Sequence, residues 1–212
     1  MSFVVYALLV IIAYLLGAIP FGLIVGLHKG IDIRQVGSGN TGATNTLRAI
    51  GWKGSAIVLL LDLVKAVIPI LVARWFFGEP VVEAMCGLAA VIGHNWSIYI
   101  GFRGGKGVSS SLGVMLLLSP VATLVGAVIV IPLIALTRYV SLGSVMGAVL
   151  IPAFTLGLSV FVSPVSWAYI IVSFVLGIMI LVQHRGNIQR LLAGNERKLG
   201  HKAERLETLR QS

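Results

Sequence analysis

The length of the apolar stretches constrains the fold more than any other feature, because they cover nearly the whole sequence up to Gln183. A helix that crosses a bilayer needs about 20 mostly apolar residues, and such stretches follow one another here with short polar breaks. Charged residues make up 11% of the chain, whereas a soluble domain carries about 25%. The sequence therefore predicts an all-α membrane protein and excludes an ordinary soluble domain.

We predict a bundle of seven transmembrane helices. The seven predicted segments are residues 3–27, 55–77, 81–93, 107–118, 120–138, 143–162 and 164–183. At a rise of about 1.5 Å per residue the third and fourth are too short to cross, so they extend into polar sequence or form re-entrant segments. Five full spans with two re-entrant pieces is the alternative. We expect one membrane domain over residues 1–200 and a charged cytoplasmic C-terminal tail over residues 201–212.

The lysines and arginines indicate the orientation. Under the seven-span prediction all 16 lie on one face, except Lys65 inside a span and Arg74 near the opposite edge. Because cytoplasmic loops are enriched in these residues, we predict that the N-terminus lies outside and the C-terminus in the cytoplasm. The net charge of +9 fits orientation and anionic lipid head groups. Nucleic acid is not an expected partner, since the cations are dispersed among apolar spans.

Three polar segments lie on the predicted cytoplasmic face: loop one (residues 37–48), loop two (residues 93–108) and loop three (residues 183–200). Loop one reads GSGNTGATNTLR, in which glycines allow close approach of a ligand. Its hydrogen-bonding side chains are those of Ser38, Asn40, Thr41, Thr44 and Asn45. A short helix starting near Thr41 would attract an anion to its N-terminus, where Arg48 could bind it. A polar turn that only caps a helix is the alternative.

Loop two reads GHNWSIYIGFRGGKGV and resembles a phosphate cradle, with Lys106 as a point charge among glycine amides. It is not a Walker A motif, because Gly107 rather than Ser or Thr follows Lys106. His94 is followed at the fifth position by Tyr99 rather than Asp, so the H-x-x-x-x-D pair of many acyltransferases is missing. No G-x-S-x-G elbow occurs either. The loop favours phosphate binding without a nucleotide or a serine nucleophile.

Loop three reads QHRGNIQRLLAGNERKLG and starts where the last predicted span ends. His184 and Asn187 are three residues apart, so on a continuing helix they would share a face and could bind one polar ligand. An amphipathic segment on the membrane surface is the alternative. We expect Glu196 to pair with a nearby arginine. The cytoplasmic acids form no D-x-x-x-D cluster, and we therefore expect no metal.

Asp62 and Lys65 lie inside the second predicted span. At this spacing they share a helix face and can neutralise one another. Charged groups at membrane depth are candidates for function, so a small transporter or channel for phosphorylated or anionic solutes is a second hypothesis. A structural ion pair is favoured, because no internal repeat of the transporter kind accompanies it.

Four stretches of the chain resemble, in sequence and in order, the bacterial acyl-phosphate:glycerol-3-phosphate acyltransferases, the PlsY family. They are SGNTGATN with Arg48, GHNWSIYIGFRGGKGV, YVSLGS and HRGNIQRLLAGNE. The resemblance spans the chain to about Gly200. It implies a multi-pass protein of the bacterial cytoplasmic (inner) membrane with its active site at the cytoplasmic face. The implied reaction moves a fatty acyl group from acyl phosphate to the 1-hydroxyl of glycerol 3-phosphate, giving lysophosphatidic acid and orthophosphate. Coupling to the enzyme that forms acyl phosphate is an implied possibility.

The resemblance also assigns residues. It places Ser38, Arg48 and Lys106 on the phosphate of glycerol 3-phosphate, and His184 and Asn187 on the glycerol end. The residues implied for acyl phosphate are Asn40, Thr44, Asn45, Gly104, Gly105, Gly107 and Ser144, with Ser141 as the alternative to Ser144. Glu196 is implied to be structural, and no cofactor or metal is implied.

Two mechanisms stay open at His184. It removes the hydroxyl proton, or a phosphate oxygen of the donor does so while His184 orients the hydroxyl. Following the resemblance, we favour assistance by the substrate, since no carboxylate stands near His184 in the sequence to orient it as a base.

Overall fold

A computed structural model describes residues 2–200 of the chain, and within this range it contains ten α-helices and no β-strand. The helices are α1 Ser2–Ala18, α2 Phe21–His28, α3 Ala43–Ile50, α4 Trp52–Phe76, α5 Pro80–Asn95, α6 Val108–Leu118, α7 Pro120–Thr137, α8 Val140–Phe161, α9 Trp167–Gln183 and α10 Arg185–Leu192. The all-α prediction is confirmed, and each predicted span contains a helix. The predicted tail, residues 201–212, lies outside the described residues.

Five segments of the described chain are long and apolar enough to cross a membrane. They are Phe3–His28, Trp52–Phe76, Pro80–Ile100, Pro120–Thr137 and Val140–Phe161. Helices α9 and α10 meet at a bend of 61°, and they give a sixth such segment if the bent pair counts as one span. Helix α6 has 11 residues, so it is about 16 Å long against an apolar bilayer thickness of about 30 Å. The third predicted span therefore gains length from the turn after α5, whereas the fourth stays short.

Small residues let the first and fifth helices approach closely. A Cβ atom on Gly17 would collide with the backbone of Ala90, and one on Gly93 would collide with the backbone of Tyr14. The break between α1 and α2 falls at Pro20, whose ring removes a backbone donor. These contacts position the end of α5, from which loop two departs.

The buried centre of the bundle lies between α4, α5, α6 and α9. It is apolar and includes Ile70, Val91, Val114 and Leu176. The predicted pairing of Asp62 with Lys65 is confirmed, with 2.8 Å between Lys65 Nζ and Asp62 Oδ1. The short helix expected in loop one is also present, as α3. It ends at Ile50, and the following Gly51, with a φ of +85°, turns the chain into α4.

Candidate active site

A cavity of about 520 Å³ lies between α3, α6, α7, α8, α9 and the three loops. Its two ends differ in chemistry, and we call them the mouth and the depth. The mouth is polar and is lined by Ser38, Arg48, Lys106, His184, Asn187 and Arg190. The depth is mainly apolar and is lined by residues such as Met115, Val130, Ile134, Ile151 and Leu176, with a few hydroxyl side chains among them.

Most residues that the sequence suggested for substrate binding line this cavity. The lining includes Ser38, Asn40, Thr44, Asn45, Arg48, Lys106, Ser144, His184, Asn187 and Glu196. Three glycines of loop two, Gly104, Gly105 and Gly107, are not among the lining residues. The fold thus joins segments that are more than 140 positions apart in the chain.

Asn45 holds loop one together. Its side-chain oxygen accepts hydrogen bonds from the backbone N–H and the hydroxyl of Ser38, at 2.9 and 3.2 Å. Its amide nitrogen donates to the carbonyls of Ile33 and Val36, at 2.8 and 3.0 Å. All four hydrogen-bonding positions of this side chain are used, so Asn45 fixes the place of Ser38.

Loop two differs from the expectation of a cradle of free amides. The N–H of Gly104 donates to the Asn95 carbonyl at 3.1 Å, and that of Gly105 donates to the His94 carbonyl at 2.9 Å. The expectation of free amides is therefore wrong for these two glycines. Their amides fold the loop back onto the end of α5, because a chain reversal here leaves the helix carbonyls as the nearest acceptors.

The next residue, Lys106, points from the folded loop into the mouth, where its ammonium group donates to Asn187 Oδ1. Asn187 in turn donates to Glu196 Oε1 at 2.7 Å. The same carboxylate accepts bonds from Arg190 Nε at 2.7 Å and from Ser141 Oγ at 3.0 Å. Glu196 therefore orients two side chains of the mouth and ties loop three to α8.

The mouth is strongly cationic. Burial lowers the pKa of Arg48, and neighbouring Arg197 lowers it further. Burial also lowers the pKa of Lys106, with Arg190 as the next contribution. Burial raises the pKa of Glu196, but hydrogen bonds from Asn187 and Arg190 outweigh that effect and hold it below its usual value. The mouth therefore holds several cations and one carboxylate whose oxygens already accept hydrogen bonds, and such an environment favours the binding of anions.

His184 lies at the bend between α9 and α10 and is buried. Its Nδ1 is 2.8 Å from the carbonyl oxygen of Ile180. Because a carbonyl can only accept, this contact fixes the proton on Nδ1 and leaves Nε2 as an acceptor. Burial lowers the pKa of His184 to about 4, so the ring is neutral at pH 7.

The matching family model, "Glycerol-3-phosphate acyltransferase", covers residues 7–194. A relative of that name from Halalkalibacterium halodurans is 49% identical over 93% of this chain and 97% of its own. One from Thermus thermophilus is 45% identical over 92% of this chain and 95% of its own.

The fold also matches crystal structures of PlsY (YgiH), an integral membrane glycerol 3-phosphate acyltransferase. The glycerol 3-phosphate form has a TM-score of 0.83 at 41% identity, over 96% of this chain and 98% of that one. The lysophosphatidic acid form has a TM-score of 0.82 at 40% identity, over 92% and 95%.

This chain belongs to the glycerol-3-phosphate acyltransferase family. It is a membrane acyltransferase of the PlsY kind, and a place in phospholipid synthesis follows from the family.

Sequence reasoning missed three residues of this acyltransferase that line the cavity: His94, Arg190 and Arg197. Arg190 was predictable, because His184, Asn187 and Arg190 follow one another at intervals of three residues and so share one helix face. His94 carried no such signal. Its carboxylate neighbour is Asp62 of α4, with His94 Nδ1 3.5 Å from Asp62 Oδ1, whereas the H-x-x-x-x-D pattern would place an acid five residues downstream of His94.

Among residues 2–200, no three His, Cys, Asp or Glu side chains lie close enough together to hold a metal ion. The mouth offers arginine, lysine, amide and hydroxyl groups instead. Such groups bind oxyanions directly.

Proposed function

We propose that this acyltransferase moves a fatty acyl group from acyl phosphate to the 1-hydroxyl of glycerol 3-phosphate, giving lysophosphatidic acid and orthophosphate. The observation that carries the proposal is the continuity of the cavity, in which a cationic mouth leads directly into an apolar depth. Acyl phosphate and glycerol 3-phosphate bring two phosphate groups and one alkyl chain. The cavity has matching chemistry for each of these parts.

Glycerol 3-phosphate is assigned to the side of the mouth formed by loops one and three. Arg48 and Lys106 bind its phosphate, and Ser38 adds a third donor when its long hydroxyl bond to Asn45, at 3.2 Å, is exchanged for one to the phosphate. His184 and Asn187 bind its glycerol end. This assignment is supported by their shared place in the lining and by the Lys106–Asn187 contact, which joins the two sets.

The phosphate of the donor is assigned to the start of α3 and to α8. Asn40 and Thr44 lie at the N-terminus of α3, whose amides favour an anion. On α8 we favour Ser144 over Ser141, because the Ser141 hydroxyl already donates to the buried Glu196 carboxylate. Ser144 donates only to the carbonyl one turn back, a weak bond that a ligand can replace.

The remaining predicted donor ligands take supporting roles. Asn45 holds Ser38, and Gly104 and Gly105 fold loop two so that Lys106 enters the mouth. Gly107 has a φ of +82°, and a Cβ atom there would lie 2.8 Å from Asn95 Oδ1, so a glycine is required for the turn. Glu196 is structural through Asn187 and Arg190.

In the reaction the 1-hydroxyl oxygen forms a bond to the acyl carbonyl carbon. The bond between that carbon and the bridging phosphate oxygen breaks, and orthophosphate leaves with the electron pair. The hydroxyl proton passes to a phosphate oxygen. With a pKa of about 4, His184 is a weaker base at pH 7 than a phosphate group, whose second pKa is about 6. His184 therefore orients the hydroxyl through Nε2, and the cations stabilise the charge that develops on oxygen.

We place the mouth at the cytoplasmic face of the bacterial inner membrane, with seven crossings, the N-terminus outside and the C-terminus inside. The distribution of lysine and arginine supports this orientation. In this arrangement α6 is the short crossing, and residues 1–200 form the membrane domain with a cytoplasmic tail after them. A cytoplasmic mouth would receive acyl phosphate from the enzyme that makes it.

The test uses the purified full-length protein in detergent with palmitoyl phosphate and glycerol 3-phosphate, in buffer with excess EDTA. We expect release of orthophosphate and formation of lysophosphatidic acid, and none with palmitoyl-CoA or palmitoylated carrier protein as the donor. Arg48→Ala is the inactive comparison. Turnover with palmitoyl-CoA alone would contradict the proposed donor, and dependence on an added metal ion would contradict the proposed mechanism.

A further inference from the structure

A buried ion pair on α4 lies beneath the mouth, and the mechanism above does not use it. The Asp62 and Lys65 side chains are 1% and 4% exposed. Moving two charged groups out of water costs desolvation free energy, and the attraction within one isolated ion pair offsets that cost incompletely. The contacts of the pair are therefore informative about why it is present.

Asp62 joins the two flanks of loop two. Its carboxylate faces His94 in the last turn of α5, with 3.5 Å between Asp62 Oδ1 and His94 Nδ1. Its backbone carbonyl accepts a hydrogen bond at 3.2 Å from the hydroxyl of Ser110, in the first turn of α6. Loop two leaves α5 and enters α6 at these two places, so one residue fixes both its ends.

His94 carries this support into the loop itself. A Cβ atom added at Gly105 would collide with His94 Nε2, so the imidazole lies directly against the loop backbone. The His94 carbonyl also accepts the Gly105 N–H. Lys106 follows at once, and the direction of its side chain into the mouth depends on the backbone at Gly105.

Lys65 extends the same support towards loop one. Its ammonium group lies 2.7 Å from the carbonyl oxygen of Ile19, at the break between α1 and α2. Helix α2 then packs against loop one so closely that a Cβ atom at Gly22 would collide with the Thr41 carbonyl oxygen. The two loops also meet directly, through Asn40 Nδ2 and the Gly104 carbonyl at 3.4 Å.

We propose that the buried Asp62–Lys65 pair is a positioning pair for the active site, which acts through His94 and Ile19 to hold loops one and two in place relative to each other. The pair does not touch the substrate. Because the two loops are already held in place, Lys106 and the residues of loop one can bind one phosphate without a large entropic cost of ordering the loops. The kinetic part of this inference rests on the proposed function, whereas the structural part does not.

The chain contains a matched pair for comparison. The exposed Arg74 of α4 and the buried Glu83 of α5 form an ion pair at 2.7 Å, and Tyr169 donates to the same carboxylate oxygen at 2.8 Å. Arg74 also donates to the Leu117 carbonyl at the far end of α6. This second pair connects α4 with α5, as the contact between Asp62 and His94 does. Its contacts, however, lie at the end of these helices that is opposite to the loops.

The first measurement is limited trypsin cleavage in detergent, followed by mass spectrometry. Cleavage after Arg103 and Lys106 reports opening of loop two, and cleavage after Arg138 is the internal reference. The site variant is Asp62→Leu with Lys65→Met, and the control is Glu83→Leu with Arg74→Met, so neither leaves a buried unpaired charge. Asp62→Asn with Lys65→Met, which keeps a polar side chain of similar shape at position 62 and leaves no buried charge, replaces the site variant if the first double variant elutes as an aggregate.

We expect cleavage in loop two to become about tenfold faster in the site variant and to stay within about twofold of the wild type in the control, since proteolysis follows the population of the open loop. Equal acceleration in both variants, or no acceleration in the site variant, would overturn the inference. The second measurement is kinetic: KM for glycerol 3-phosphate should rise about tenfold in the site variant, with kcat less affected. A wild-type chain inactive with acyl phosphate would refute the proposed function and leave the cleavage result valid.

Discussion

The mouth and the depth of the cavity are built by different means. In the mouth several polar side chains are held by other side chains, as Asn187 is held by Glu196 and Ser38 by Asn45. In the depth the walls are mainly apolar, and close backbone packing sets their separation: a Cβ atom at Gly177 of α9 would collide with the Ala148 carbonyl of α8. Hydrogen bonds are directional whereas apolar contact is not. The mouth should therefore be sensitive to chemistry, and the depth to volume.

The largest expected effect is the loss of a cation from the mouth. Lys106→Ala should lower kcat/KM about 100-fold, because two charge-assisted hydrogen bonds to phosphate are each worth about 1.5 kcal/mol. The loss should be the same for palmitoyl and hexanoyl phosphate, since the alkyl chain lies elsewhere. Arg103→Ala, an exposed cation in the same loop, is the control and should change little. A loss that depends on chain length would break the division between mouth and depth.

A smaller effect is expected at His184, also in the mouth. His184→Gln keeps a polar side chain that can contact the hydroxyl, so KM for glycerol 3-phosphate should rise about tenfold while kcat stays within about threefold. Steady-state kinetics with both substrates varied would measure this. His28→Gln, at the exposed end of α2, is the control. A fall of kcat by about 100-fold or more with unchanged KM would instead identify His184 as the base.

The matching test of the depth is Gly147→Leu. Gly147 of α8 lines the cavity, and a Cβ atom there would meet only Val130, at 3.7 Å, so a larger side chain extends into the cavity. Displacing about two methylenes at about 0.8 kcal/mol each should lower the palmitoyl-to-hexanoyl ratio of kcat/KM about tenfold.

The control for that test is Gly157→Leu on the same helix, where a Cβ atom meets nothing within 4 Å and which is not among the cavity-lining residues. KM for glycerol 3-phosphate should be unchanged in both variants. A raised KM for glycerol 3-phosphate in Gly147→Leu would show that the two ends of the cavity are coupled.

The smallest effect concerns acid stability. The pKa of His184 falls from 6.5 to about 4 on folding, so between these values the unfolded chain binds more protons at this site. The contribution of His184 to the stability of the folded state is therefore fully present above pH 6.5 and is lost as the pH falls towards 4. The decrease in Tm between pH 6.5 and 4.5 should be shallower in His184→Gln than in the wild type. An equal slope in the two proteins would mean that the ring is already protonated in the folded protein.

The sequence predicted the helical class, the positions of the helices and most of the mouth. Span positions follow from hydrophobicity along the chain, which is a local property. Ser38, Arg48, Lys106, His184 and Asn187 stood out because glycine-rich and polar segments are conspicuous between apolar spans. The i, i+3 pairing of Asp62 with Lys65 was predictable for the same reason, since helix geometry alone brings the two side chains together.

Other features were decided by contacts between helices that are distant in the sequence. The amides of Gly104 and Gly105 could be judged free or bonded only once the end of α5 was in place beside them. The role of Asp62 beside His94 depends on how α4 packs on α5, and no spacing along the chain encodes that distance. Local sequence therefore determined which groups are available in this acyltransferase. Tertiary packing decided which of them face the cavity and which hold others in place, because a buried polar group takes the nearest partner that the fold provides.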